Sequence, residues 1–269
     1  MFLKLLFITV STYLLFIFVL FVSQRTLIYL PDESKPDYIQ GVDIVNVTTK
    51  DGQPLEAWYI PPKDPNMPVI VFFHGNAGNY GDRIYKSQHY ANNGYGLLLA
   101  EYRGYGGNSG RHSEEGFYHD GRAYIKWLRN VKNIKPEKVI IYGESIGSGI
   151  AVQMATEYKV AALILEVPFS SLVDVASNLY PFVPVKYLLK DRYMNIDKIE
   201  NINNAPLLIL HGHKDQVIPF SSAKSLFDKA TEPKKLIEFP QANHNNLYEF
   251  GASQHVSDFL TSIESKNDK

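Results

Sequence analysis

Lys138 to Tyr142 is an apolar run of β character. It meets the turn Gly143-Glu144-Ser145-Ile146-Gly147, and a helical pattern follows from Ile146 to Glu157. A strand that passes straight into a helix through G-x-S-x-G leaves few folds open. The glycines have a physical reason: the serine backbone sits in a strained turn, where neighbouring side chains would collide with the adjoining strand and helix. Such a turn lifts the hydroxyl clear of the sheet. It also aims the first free N–H groups of the helix at whatever oxygen the serine approaches. The competing reading is a glycine-rich turn with an incidental serine, and partners elsewhere in the chain weigh against it.

The surrounding pattern is an alternation. Val42 to Thr48 and Leu55 to Ile60 read as strands joined by a hairpin turn at Lys50-Asp51-Gly52-Gln53. Val69 to Phe73 is apolar at every position, as expected of a strand buried on both faces. Further strands are expected at Gly96–Glu101, Ala161–Glu166, Pro206–His211 and Lys235–Phe239. Helices are expected at about Asp82–Asn92, Ser113–Asn130, Ser221–Ala230 and Leu247–Ile263. An antiparallel start followed by repeated β-α units specifies an α/β domain, with a mostly parallel eight-stranded sheet and helices on both faces. The interval between Glu166 and Pro206 breaks this rhythm. It is too long for a connection and too apolar for a solvated loop. It reads as a small helical cap, at about 168–204, over the carboxyl edge of the sheet where ligands of such sheets bind. The alternative is a helix pair packed on the core. The polar end from Glu264 to Lys269 reads as a frayed tail.

Residues 1–25 stand apart from the domain that occupies 26–269. Leu5 to Val22 carries no charge over 18 residues, between Lys4 and Arg25, which is just long enough to cross a bilayer as a helix. Thr9, Ser11 and Thr12 weaken its hydrophobicity without forbidding insertion. A cleaved signal peptide needs a small-x-small site, and Phe21-Val22-Ser23 offers a bulky Phe instead. An uncleaved single-pass N-terminal anchor is therefore preferred over a cleaved signal or an interfacial helix. Lys4 on one side and Arg25 and Lys35 on the other give little orientation bias. Thr26 to Pro31 reads as a short connector. The Asn46-Val47-Thr48 sequon matters only in a eukaryotic lumen. The absence of cysteine excludes disulfides, thiolate catalysis and zinc-thiolate sites, and a net charge of −1 gives no pull toward nucleic acid.

A serine hydroxyl needs a base to take its proton and a third group to orient that base. His244 is the best base, because it alone of the eight histidines lies beyond the last strand and ahead of the final helix. His211 and His213 lie beside an acid candidate, His74 opens a glycine loop, and His255 sits in the final helix. His89, His112 and His119 are expected to have no partner nearby. For the acid, Asp215 follows the strand Leu207–His211 and can reach the ring N–H of His244. Glu166, at the end of the preceding strand, is the rival, ahead of Asp174 and Glu144. An oxyanion would need two N–H donors: one from Ile146, the other from His74-Gly75-Asn76-Ala77-Gly78-Asn79, with Asn76 preferred over Ala77. That loop lacks the G-x-x-x-x-G-K-[S/T] and G-x-G-x-x-G phosphate signatures. His211-x-His213-x-Asp215 has a metallo-hydrolase look, but no other histidine-rich segment completes a site, so neither metal nor cofactor is expected. Tyr180, Phe182 and Leu188 of the cap interval are candidate walls of an apolar substrate pocket.

Phe73-His74-Gly75-Asn76-Ala77-Gly78-Asn79, Tyr102-Arg103-Gly104-Tyr105-Gly106, Gly143-Glu144-Ser145-Ile146-Gly147, His211-Gly212-His213-Lys214-Asp215 and Asn243-His244 together resemble the α/β-hydrolase superfamily. The combination is similar to its membrane-anchored abhydrolase-domain subgroup, whose animal members include protein depalmitoylases. The resemblance runs from about residue 24 to the end. It implies Ser145 as nucleophile, Asp215 as acid, His244 as base, and Tyr102-Arg103 as a loop shaping the site. Serine at 145 argues against the dehalogenase and dienelactone-hydrolase branches, whose nucleophiles are aspartate and cysteine. Two readings of function result. One is a membrane-anchored serine hydrolase acting on an ester, thioester or amide of a small-molecule or lipid-like acyl substrate. The other is a non-catalytic membrane-tethered binding protein, which a missing triad member would favour.

Overall fold

Strands β4 (Val69–Phe73), β6 (Gly96–Ala100), β8 (Ala162–Glu166) and β9 (Leu207–Gly212) are buried at every residue, as is β7 (Val139–Glu144) up to its last. Their side chains alternate between two apolar layers. Val69, Val71 and Phe73 face one layer, and Ile70 and Phe72 face the other. In the computed structural model, which describes residues 1–267, these strands form the centre of one eight-stranded sheet of order β10-β9-β8-β7-β4-β6-β3-β2. The five pairings from β10 to β6 are parallel. β3 (Pro54–Ile60) pairs antiparallel with β6 and with β2 (Asp43–Thr48). The edge strands β2 and β10 (Lys234–Phe239) are only partly buried, as half-solvated edges should be.

Helices α3 (Glu114–Asn130), α4 (Gly147–Glu157) and α7 (Phe220–Lys229) cover one face. Phe117, Tyr124, Ile150, Met154 and Leu226 enter the first layer from them. Helices α2 (Ile84–Asn92) and α8 (Ala252–Asn267) cover the other with Tyr90, Val256 and Leu260. Asn79 starts the α2 region through a capping box with Asp82, and Ser113 caps α3 by accepting from the Gly116 N–H. The final helix is interrupted. A 3₁₀ turn over Leu247–Phe250 ends at Gly251, whose φ of +88° breaks the run before α8 begins. The polar end expected to fray continues α8 to Asn267, and residues 268–269 lie outside the described residues. The interval after β8 holds α5 (Leu172–Leu179), the single turn α6 (Val185–Leu188) and two 3₁₀ turns at Asn195–Asp197 and Ile199–Asn201.

The amino-terminal helix departs most from expectation. Helix α1 spans Phe2–Ile28, so residues 26–28 continue the helix and do not form a connector. It is long and apolar enough to cross a membrane, and the apolar stretch is not buried in the protein. Thr9 and Thr12 return their hydroxyls to the carbonyls of Leu5 and Ile8, which removes most of their polar cost. Its last turn is docked. Gln24 is buried, Arg25 forms a two-pronged ion pair with buried Asp191 at 2.8 and 3.0 Å, and the Tyr29 hydroxyl meets that of Tyr193 at 3.0 Å. The following β1 (Leu30–Pro31) pairs in parallel with β5 (Ala77–Gly78), so the chain leaving α1 is stitched to the loop after β4.

Register aligns the carboxyl ends of β4, β7, β8 and β9 along one edge, with Phe73 opposite Gly143, Glu144 opposite Glu166, and Glu166 opposite Leu210. Buried charge collects there. Lys86 reaches Glu144 at 3.0 Å and Glu166 at 2.9 Å, and Arg83 reaches Glu144 at 2.9 Å. Burial works against the charge on Glu144, but Lys86 and Arg83 outweigh it and hold its carboxyl down to about 2 from an ordinary 4.5. A carboxyl depressed in the folded state contributes stability above its ordinary value and loses it as pH falls toward the folded one. Stability should therefore drop between pH 4.5 and about 2. Lys86→Met leaves two carboxylates short of their shared cation and should cost about 3–5 kcal/mol at neutral pH. Denaturant unfolding in detergent measures both effects, and a Lys86→Met loss below about 1 kcal/mol would contradict the network's importance.

Candidate active site

Ser145 follows the last residue of β7 with φ of +50°, in the left-handed region that a side chain enters only under constraint. The constraint is visible on both sides. The Ser145 N–H donates to the Glu166 carbonyl of β8 at 2.9 Å, and the Ser145 carbonyl accepts from the N–H and the hydroxyl of Ser148 in α4 at 2.9 and 2.6 Å. A Cβ on residue 147 would overlap the Phe73 carbonyl oxygen, and one on residue 143 would overlap the α4 backbone and the Ala151 side chain. The two glycines are thus what allow α4 to lie on the ends of β4 and β7.

His244 lies in the loop after β10, and its Nε2 is 3.1 Å from Ser145 Oγ. Its Nδ1 is 2.7 Å from Asp215 Oδ2, in the turn after β9. The other carboxylate oxygen of Asp215 accepts from the N–H groups of Val217 and Ile218, both at 2.8 Å. Burial penalises the Asp215 charge, but the His244 bond and these two N–H groups prevail, so the carboxyl is held below its ordinary range. The Asp215 side chain is wholly shielded while His244 keeps 15% exposure, so only the ring can exchange with a solvent-borne group. An ionised acid on one ring nitrogen fixes the tautomer that leaves the other free to accept from a hydroxyl. The structure thus joins Ser145, His244 and Asp215 in one hydrogen-bonded chain. Glu166, the rival acid, is committed elsewhere: Lys86 Nζ and the Tyr142 hydroxyl bond its two oxygens at 2.9 and 2.7 Å. Asp174 accepts from Ser170.

Ile146 is the N-cap of α4 without a side-chain cap, so its region carries the unsatisfied N–H groups of a helix start. The Asn76 side chain is committed elsewhere. Its Nδ2 donates to the Ile28 carbonyl at 2.6 Å, and its Oδ1 accepts from the Leu30 N–H and the Tyr105 hydroxyl. Beneath this loop lies a buried cluster that the sequence reading missed. His74 Nε2 is 2.6 Å from Glu101 Oε1, the Tyr80 and Tyr102 N–H groups both donate to Glu101, and the Tyr102 hydroxyl bonds the His74 carbonyl. A glutamate ending a fully apolar strand was the available signal. Arg103, implied to shape the site, spends its guanidinium on Asp51 and Asp120.

Five of the six remaining histidines have polar partners, and His255 packs edge-on against Phe239. His89 meets Ser257 at 3.1 Å, His112 the Gly104 carbonyl at 3.4 Å, and His119 Glu115 at 3.4 Å, contrary to their expected isolation. His213 pairs with Glu238, and His211 with the Ile218 carbonyl. Of the expected pocket walls, Tyr180 and Leu188 line a small crevice of about 80 Å³ against α1, together with Leu20, Phe21 and Gln24. None of the residues lining that crevice belongs to the Ser145–His244–Asp215 chain, and Phe182 points outward with 64% exposure.

A profile of the alpha/beta hydrolase fold matches residues 68–195. An uncharacterized protein of Mycobacterium tuberculosis is 36% identical over 230 residues, 83% of this chain and 81% of its own. The uncharacterized protein YfhR of Escherichia coli is 30% identical over 232 residues, 82% and 80% of the two chains. The chain belongs to the α/β-hydrolase fold family. Among solved structures, the Pyrococcus furiosus esterase Pf2001 superposes with a TM-score of 0.70 at 18% identity, covering 86% of this chain and 98% of its own. An acetyl xylan esterase from Paenibacillus sp. R4 gives 0.66 at 19% identity, covering 86% of each.

The glycine contacts give a test specific to this α/β-hydrolase fold. Gly147→Ala forces a methyl into the Phe73 carbonyl, so α4 must shift off the sheet. A cost of at least about 1–3 kcal/mol is expected, read as a lowered Tm. An unchanged Tm would mean that α4 does not approach β4 as described.

Proposed function

We propose that the protein is a membrane-anchored serine hydrolase that cleaves a carboxylic ester or thioester through an acyl-enzyme. The single observation that carries the reading is the chain Ser145 Oγ–His244 Nε2 at 3.1 Å and His244 Nδ1–Asp215 Oδ2 at 2.7 Å, set on a strained strand-to-helix turn. Ser145 Oγ attacks the carbonyl carbon while His244 Nε2 takes its proton. Asp215 holds the ring and stabilises the imidazolium that forms. The N–H groups of Ile146 and Asn76 hold the oxyanion. His244 then gives the proton to the departing alkoxide or thiolate, and a water deprotonated by His244 releases the acid. The esterase names of two structural neighbours are consistent with ester cleavage. In this reading residues 1–25 are the core of the anchor, 26–269 the hydrolase domain, and about 168–204 its cap.

A fluorophosphonate probe tests the nucleophile. Wild type should label, Ser145→Ala should not, and Asp215→Asn should label slower by several powers of ten because the histidine adopts the wrong tautomer. A folded wild-type protein that never labels would remove the hydrolase reading.

The cap interval is apolar, and Tyr180 and Leu188 border the α1 crevice. An apolar acyl group is the matching substrate, since each buried CH₂ is worth about 0.8 kcal/mol, roughly fourfold in binding. kcat/KM on p-nitrophenyl esters should rise from acetyl to hexanoyl. A steep fall beyond butyryl would restrict the site to short chains.

A further inference from the structure

Helix α1 and the cap run side by side in the same direction. Arg25 pairs with Asp191 at 2.8 Å, the Gln24 carbonyl oxygen Oε1 accepts from the Lys190 N–H at 2.8 Å, and Lys190 Nζ lies 4.2 Å from the centre of the Phe21 ring. Much further toward the amino terminus, the Tyr13 hydroxyl donates to the Phe182 carbonyl at 2.8 Å. Leu5 to Gln24 is free of charged residues. At 1.5 Å per residue this stretch is about 30 Å long, the thickness of a hydrocarbon core. From Arg25 to Tyr13 the helix rises about 18 Å. If Arg25 and Asp191 mark the headgroup level, Phe182 lies near the middle of the hydrocarbon layer.

The cap's own chemistry suits that depth. From Val175 to Val185 there is no Asp, Glu, Lys, Arg or His. Leu179, Phe182 and Tyr187 are 60%, 64% and 83% exposed, an unusual surface to leave in water. Within hydrocarbon, backbone polar groups need internal partners. The N–H groups of Tyr180, Val183, Val185, Tyr187 and Leu189 donate to nearby carbonyls, and Pro181 and Pro184 carry none. Lys186 closes the apolar stretch, and its carbonyl accepts from Arg192, next to Asp191 at the charged end of the track. Its long side chain can reach the headgroups from there.

We propose that residues 179–187 of the cap form a second membrane element, immersed among lipid acyl chains beside α1. This rests on the reading of α1 as a spanning helix. The occupant of the exposed cap surface is then lipid hydrocarbon. The crevice between α1 and the cap, walled by Leu20, Phe21, Tyr180, Val183 and Leu188, opens to acyl chains that never cross water.

The chain lacks cysteine, so Val10→Cys, Leu179→Cys, Phe182→Cys and Lys224→Cys each give a unique attachment point for an NBD fluorophore in the full-length protein. The labelled proteins are reconstituted in vesicles of phosphatidylcholine and phosphatidylglycerol carrying nitroxides on either the headgroup or the mid-acyl chain. Labels at 10 and 182 should lose more fluorescence to the acyl-chain nitroxide than to the headgroup one. The label at 179 should be quenched by lipid at a comparable or shallower depth, and the label at 224 by neither. A deep signal at 10 with a water-exposed or merely headgroup-quenched signal at both 179 and 182 would overturn the immersed cap while leaving the anchor intact. A water-exposed signal at 10 would overturn the spanning helix itself, and the cap proposal with it.

Discussion

Helix α4 lies so close to the carboxyl end of β4 that residue 147 has no room for a side chain beside the Phe73 carbonyl. That approach drives the rest of the site. For the chain to leave β7 and enter α4 within two residues, Ser145 must take a positive φ, a conformation costing on the order of 1–3 kcal/mol. Hydrogen bonds to Glu166 on one side and Ser148 on the other offset that cost. The hydroxyl is left above the sheet edge, where the loops after β9 and β10 bring Asp215 and His244 within hydrogen-bonding distance. Because β4, β7, β8 and β9 are parallel and in register, those loops emerge on one edge, and residues 99 positions apart in sequence can meet.

The same edge holds four shielded carboxylates, and their partners separate their roles. Glu144 and Glu166 share Lys86, a cation that stays charged: burial opposes it, but the two carboxylates raise its pKa further. Glu101 is tied to His74 beneath the loop after β4 and to two backbone N–H groups. Asp215 is the one whose partner is a histidine that also touches a hydroxyl. Ion pairs to lysine fix a backbone; a carboxylate behind an imidazole prepares a group that can pick up and release a proton. The Lys86 cluster thus acts as a clamp. It grips the residue before Ser145 and the end of β8, whose carbonyl holds the Ser145 N–H.

The strands buried on both faces are legible because a continuous apolar run has few other uses, and the helices because they fill the intervals of a regular strand-helix alternation. Ser145 and Asp215 stand out because each follows such a strand, and His244 because it alone of the histidines lies between the last strand and the final helix. The failures are equally physical. Leu30–Pro31 is too short to show a period, so its pairing with Ala77–Gly78 left no trace. The polar Gln24, Arg25 and Thr26 hide the end of α1 in the sequence, yet Arg25 and Gln24 serve docking onto Asp191 and the cap backbone. Gly251 lies inside a helical period of the sequence, though its left-handed φ divides the final helix. Apolarity alone does not show which neighbour each cap residue meets. Tyr180 and Leu188 face α1, and Phe182 faces outward.

A flexible tether would only raise the local concentration of a membrane substrate, because each linker residue could adopt many orientations. The junction here leaves little such freedom. Asn76, in the loop that follows β4, bonds the last carbonyl of α1 and the first N–H of β1. Tyr29 meets Tyr193, and Tyr193 in turn packs so tightly on α4 that residue 149 must be glycine. The end of α1 is therefore fixed both to the loop carrying one prospective oxyanion donor and to the helix whose N-cap residue, Ile146, carries the other. An α1 set across a bilayer would impose one orientation on Ser145 relative to the membrane surface. The depth at which an acyl carbonyl is presented would then select among substrates as firmly as the shape of the pocket.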